Sequence, residues 1–261
     1  MIKGVIFDLD DTLTIHEDLY NINYIKTICK FFPDLNIPRN EILQIIINNV
    51  DKIGTKKYFK NHYLNVKFGG RDLLWGDCGG YGNIPQYTKK IQSDLRYEIW
   101  NAIIDNLGVK TDVKISKIIS YYIEIMWTGI KVFDDVIETL NNLRHYKLAV
   151  LTNGMPIHQR RKITSSGIRN FFTGKNRSII TSAECGFGKP NSIPYEVTLQ
   201  SLNLNTEEVI MVGDRPEGDI LGANLLGIKT VYINRNSETI KDIAYKPTFE
   251  IKNLNQLIKI I

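Results

Sequence analysis

Four short runs, KGVIFDL, YKLAVLTN, EEVIMVGD and IKTVYIN, leave this chain few folds to choose from. Each is rich in β-branched residues and apolar at odd and even positions alike. A strand of that kind must be covered on both faces, the condition met by a parallel sheet between layers of helices. The first three runs end in a polar or glycine-containing turn, so a sheet built from them delivers polar side chains to its C-terminal edge. Helical patterns separate the later runs. In FDDVIETLNNLRHY, Val136, Leu140 and Leu143 recur at i, i+4 and i+7, one apolar stripe. IHQRRKITSSG and GDILGANLLG follow two other strands, the second pattern stopping at Gly227. The expected fold class is α/β, a doubly wound parallel sheet.

One interval breaks this alternation. From about His16 to Trp127 the periodicity is helical, as in NEILQIIINNVDKI, LRYEIWNAIIDNLG and KISKIISYYIEIMW. An insertion longer than any ordinary βα connection should fold as its own unit. The expected organisation is a core of residues 1–15 and 128–261 with an α-helical cap of 16–127. Within the cap, GGRDLLWGDCGGYG (Gly69 to Gly82) reads as a surface connection between helices, in preference to a mobile loop lending Arg71 or Trp75 to a substrate.

Bulk properties exclude several classes. The 43% hydrophobic and 23% charged fractions are those of a soluble globular protein. No run of 18 or more apolar residues occurs, so no membrane span is expected. Asp8 follows the first residues too soon for a secretory signal, and a cytoplasmic location is expected. Cys29, Cys78 and Cys185 are scattered, form no CxxC pair and read as small buried hydrophobes with reduced thiols. The net charge of +5, from 33 Lys and Arg against 28 Asp and Glu, suits anionic ligands. The basic residues form no strip, so no nucleic-acid partner is expected.

Chemistry concentrates at the strand ends. In GVIFDLDDTLT, Asp8 and Asp10 stand two apart on an extended segment and point the same way. Ligands of open α/β sheets bind at that edge. A divalent cation would turn the mutual repulsion of paired carboxylates into ligation, although an Asp-rich turn is also common after a strand. An EF-hand loop fails, with Leu13 at its glycine position and Leu19 at its glutamate position. LAVLTNG offers Thr152, Asn153 and Gly154 ahead of a helix, an arrangement that suits a phosphate group or an ordinary turn. GFGKP contains Lys189 but fails the P-loop pattern, with Ala183 at the first glycine position and Pro190 replacing Ser or Thr. Taken alone, Lys189 reads as a surface lysine. VIMVGDRPEGDILGA adds Asp214 and Asp219, a second acidic group able to complete an oxygen-ligand site.

In order and content, DLDDT, LTNG, KP and GDRPEGD resemble the haloacid dehalogenase superfamily, and the insertion resembles that of its C1-capped members. The resemblance implies a Rossmann-like core and a Mg²⁺-dependent phosphatase acting on a small phosphorylated metabolite. It casts Asp8 as the nucleophile that becomes phosphoaspartate, and Asp10 as a general acid and base able to hold a proton. Thr152 and the Asn153 backbone N–H would bind the phosphoryl group, and Lys189 would offset charge. Asp8, the Asp10 carbonyl and Asp214 would hold the metal, with Asp219 in support. Phosphomutases share these motifs. The founding 2-haloacid dehalogenases also use an Asp nucleophile, on carbon and without metal, but lack the second acid that Asp10 supplies. A non-catalytic descendant binding a phosphorylated ligand is the remaining alternative, and a pure binder need not keep both acids.

Overall fold

A computed structural model describes residues 1–58, 65–237 and 242–261, without the side chains of 56–58. Among the described residues, six parallel strands form the main sheet: β1 (Gly4–Phe7), β4 (Lys147–Thr152), β5 (Arg177–Thr181), β6 (Val209–Gly213), β7 (Lys229–Ile233) and β8 (Phe249–Ile251). Their order is β5-β4-β1-β6-β7-β8. The two-faced burial read from the sequence holds residue by residue. Val5, Phe7, Leu148, Val150, Ile210 and Val212 pack on one face of the sheet, while Ile6, Ala149, Leu151, Val209 and Met211 pack on the other. Helices α5 (Val136–Asn142), α6 (Pro156–Ser165) and α7 (Ser192–Leu202) connect the later strands.

The order of the strands determines where a ligand can sit. From β1 the chain winds outward through β4 and β5, then returns to the opposite side of β1 for β6 and β7. Neighbouring connections therefore diverge at the C-terminal ends of β1, β4 and β6, leaving the crevice typical of such a reversal. Asp8, Asn153 and Asp214 immediately follow those three strands.

Between β1 and β4 lie α1 (Glu17–Phe31), α2 (Arg39–Asn49), α3 (Asn83–Asn106) and α4 (Ile115–Thr128). They enclose a separate apolar cluster in which Tyr24 stacks on Tyr122 at 5.2 Å and Trp100 meets Tyr122 edge-on at 5.3 Å. The chain enters and leaves this layer through β2 (Thr14–Ile15) and β3 (Lys131–Val132), a two-stranded antiparallel pair. The helical layer also rests on the sheet's edge: Ser182 Oγ donates to the Val66 carbonyl at 2.6 Å, and the Gly188 N–H donates to the Asn65 carbonyl at 2.6 Å.

Two sequence expectations change here. The stretch from Gly69 to Gly82 is not a surface connection: Leu73, Leu74, Trp75 and Cys78 are buried in the helical cluster. Its glycines allow close approach, since a Cβ on Gly76 would fall on the His158 ring. Of the three cysteines, all free, only Cys78 is buried; Cys29 is exposed and Cys185 half-buried, so the buried-hydrophobe reading holds for one.

Candidate active site

The end of β1 is held flat in the sheet by the Asp8 N–H, which donates to the Val212 carbonyl at 2.9 Å. This places the Asp8 carboxylate beside the residues that follow β6. Oxygens of Asp8, Asp214 and Asp219 all lie within 4.8 Å of one another. Lys189, 4% exposed, is no surface lysine: its Nζ donates to Asp8 Oδ1, to Asp219 Oδ1 at 2.6 Å and to the Leu151 carbonyl at 2.8 Å. Burial opposes its charge, but Asp219 and Asp8 outweigh burial and raise its pKa.

Lys189 and the nearby Arg215 guanidinium only partly offset the three carboxylates. Burial pushes Asp8 up to about 7 despite the pull of Lys189, and Asp219 and Asp10 add to the rise. Asp214 is raised well above the usual carboxylate range by burial and then by the charges of Asp8 and Asp219. Its Oδ1 accepts from Thr12 Oγ1 at 3.1 Å. A largely buried group of hard oxygen donors that repel one another is chemically suited to a divalent cation such as Mg²⁺.

Thr152 closes β4 with its side chain buried, accepting from Gln159 Nε2 at 2.6 Å. Asn153 clamps the segment carrying Lys189: its Oδ1 accepts the Lys189 N–H at 2.9 Å and its Nδ2 donates to the Lys189 carbonyl at 3.3 Å. Gly154 takes φ 146°, which favours glycine, and its N–H donates to Ser182 Oγ at 2.8 Å.

Asp10 does not join the acidic group through its side chain. Both of its oxygens accept from Lys162 Nζ, at 2.8 and 3.0 Å, and Thr14 Oγ1 and Gln159 Nε2 approach at 3.3 Å. Burial alone would raise Asp10, but His16 and Lys162 prevail and hold it down at about 2. This arrangement favours the carboxylate form of Asp10. Lys162 itself is 1% exposed and also donates to His16 Nε2 at 2.9 Å.

Lys162, His158 and Gln159 lie on α6, and Asp72 lies in the glycine-rich stretch; none of them belongs to the four sequence motifs. A signal was present in PIHQRRK: His158 and Lys162 stand at i and i+4, a shared helix face. Asp72 Oδ1 accepts from Tyr20 Oη at 2.6 Å and meets His158 Nε2 at 3.0 Å. Asp10 and Asp72 border a cleft of about 630 Å³, lined also by Asp8, Thr152, Lys189 and Asp219 from the sheet side and by Tyr20, Lys67 and Arg71 from the helical side. Arg71 donates to Glu17 Oε1 at 2.6 Å within it.

His158 supplies a pH signature. Burial lowers its pKa below the ordinary 6.5, only partly offset by Asp72. Below about pH 6.5 the unfolded chain then binds more protons than the folded one, so stability is full above that pH and falls as pH drops, by up to about 1.4 kcal/mol per pH unit. Thermal melts of His158→Gln between pH 7 and pH 5 are expected to show a shallower loss than those of the parent protein. An unchanged slope would mean that His158 binds protons equally in the folded and unfolded chain.

A family profile for haloacid dehalogenase-like hydrolases matches residues 2–227. The glyceraldehyde 3-phosphate phosphatase of Methanocaldococcus jannaschii is 30% identical over 265 aligned positions, covering 100% of this chain and 97% of that protein. A HAD phosphatase from Thermococcus onnurineus superposes with a TM-score of 0.59 at 23% identity, covering 99% of this chain and 97% of that one. A 2-haloacid dehalogenase from Pseudomonas syringae pv. Tomato superposes with a TM-score of 0.60 at 21% identity, covering 100% and 98% of the two chains. At those identities the two superpositions establish a shared fold, whereas the profile match covers most of the sequence. The chain belongs to the haloacid dehalogenase-like hydrolases.

Proposed function

We propose that the protein is a Mg²⁺-dependent phosphatase of a small phosphorylated metabolite, with residues 16–127 forming a cap over a core of 1–15 and 128–261. The observation that carries this reading is the meeting of Asp8, Asp214, Asp219 and Lys189 at the sheet's reversal point, a buried group fitted to a cation and a phosphoryl anion together. Mg²⁺ would be held by Asp8, the Asp10 carbonyl and Asp214, with Asp219 in support, and would supply charge stabilisation for the phosphoryl oxygens.

The chain's own groups do the rest. An Asp8 oxygen attacks phosphorus as the bond to the leaving oxygen breaks, and Asp10 delivers a proton to that oxygen. Asp10, again a carboxylate, then takes a proton from the water that attacks phosphorus, and the Asp8–phosphorus bond breaks to release phosphate. Thr152 and the Asn153 N–H orient the phosphoryl oxygens, and Lys189 balances their charge beside Asp8. The carboxylate form in which Lys162 holds Asp10 suits the second half of the cycle. The first half requires Asp10 to take up a proton beforehand.

Dehalogenation is the weaker reading, because three clustered acids serve a metal and haloacid displacement uses none. The test is phosphate release from a panel of phosphomonoesters that includes glyceraldehyde 3-phosphate, with Mg²⁺ present and after chelation. Release that chelation abolishes is expected. Metal-dependent binding without turnover on any member would favour a ligand-binding role instead.

A further inference from the structure

Lys162 is a buried cation that the proposed chemistry does not employ, and it spans the two halves of the molecule. On one side its Nζ takes both oxygens of Asp10, at 2.8 and 3.0 Å. On the other it lies 3.7 Å from Asp72 Oδ1, which belongs to the cap. Asp72 is itself fixed by Tyr20 Oη at 2.6 Å from the cap and by His158 Nε2 at 3.0 Å from α6. Lysine and aspartate at such a depth are costly to desolvate, and an apolar pair would join two surfaces at less expense. A charge chain with Asp10 at its end does something an apolar contact does not: it sets the direction of a carboxylate.

We propose that Lys162, steadied by Asp72, positions the Asp10 carboxylate, so that placing the acid depends on the cap being seated on the core. This rests on the phosphatase reading, in which Asp10 protonates the leaving oxygen. Lys162 and Asp72 are positioning residues; neither needs to touch the substrate.

Leaving groups of different basicity separate this role from a structural one. p-Nitrophenolate departs without a proton, whereas an alkoxide needs one. The value of kcat/KM reports the steps through leaving-group departure, so it isolates the acid from the later hydrolysis. The comparison is kcat/KM for p-nitrophenyl phosphate against the best alkyl phosphate of the panel, in the parent protein, Lys162→Met and Asp72→Asn. Losing Lys162 also removes a charge that lowers the Asp10 pKa, but misplacement of the acid is expected to outweigh this. The alkyl-to-aryl ratio should fall about 100-fold in Lys162→Met and about 10-fold in Asp72→Asn, general acid catalysis being worth about 10²- to 10⁴-fold. Asn at position 72 keeps an acceptor for Tyr20 and His158, so this variant carries the test if Lys162→Met does not fold. A ratio that stays constant, whether both substrates slow together or neither does, overturns the proposal. A parent protein that cleaves neither substrate overturns the phosphatase reading beneath it, a separate and recognisable failure.

Discussion

Replacing Asp8 with Asn is expected to lower phosphate release by at least about 10³-fold, the order lost when a covalent nucleophile is removed. The amide is nearly the same size and retains an oxygen, so the packing of Phe7 and Leu9 around it should survive. Two properties disappear: nucleophilicity toward phosphorus and one negative charge. Losing the charge also relieves repulsion, because Asp8 contributes to the raised pKa of Asp214. Asp8→Asn should therefore fold at least as well as the parent in the absence of metal, while turning over far more slowly. A thermal melt beside the activity assay separates the two effects, and a variant both unfolded and inactive would leave Asp8 as a structural residue.

Lys189→Met is expected to fail in the opposite way, losing stability as well as activity. Its Nζ is shared by Asp8 and Asp219, and all three residues are buried. Removing one partner of a buried ion pair typically costs about 3–5 kcal/mol, because the remaining charge keeps its desolvation penalty. Here two carboxylates would be left facing each other and Asp214. Turnover should fall by about 10²- to 10³-fold, the range for losing one preorganised charge-stabilising donor. Because the surplus charge calls for a cation, Mg²⁺ should raise the melting temperature of Lys189→Met more than that of the parent. An equal rise in both would indicate that the acids do not share one metal.

Much of this was legible in the sequence wherever burial acts on both faces of a strand. Val5 and Ile6 must both be apolar because each lies against a different cluster, and this produced the runs that revealed β1, β4, β6 and β7. The two edge strands escaped notice for the complementary reason. In β8, Phe249 and Glu250 are exposed, and most of β5 is only half-buried, so neither has a continuous apolar run. Helix α1 was blurred by Asn23 and Thr27, polar residues on its buried face. At the site, residues that terminate or follow a strand could be read from position alone, since the topology dictates that those ends converge. Lys162 and Asp72 could not. Their partners stand 152 and 86 positions away, and a charge is identified as buried only once the fold supplies its counter-charge.

The central assertion is that the substrate's phosphorus is carried by Asp8. Quenching the working enzyme in acid and reducing it with borohydride converts an acyl phosphate to the corresponding alcohol, and peptide mass spectrometry locates the change. Reduction at Asp8, dependent on substrate and absent from Asp8→Asn, is the expected result. An enzyme that releases phosphate through many turnovers while every quenched sample keeps Asp8 unmodified, or bears the reduction on another carboxylate, would contradict it.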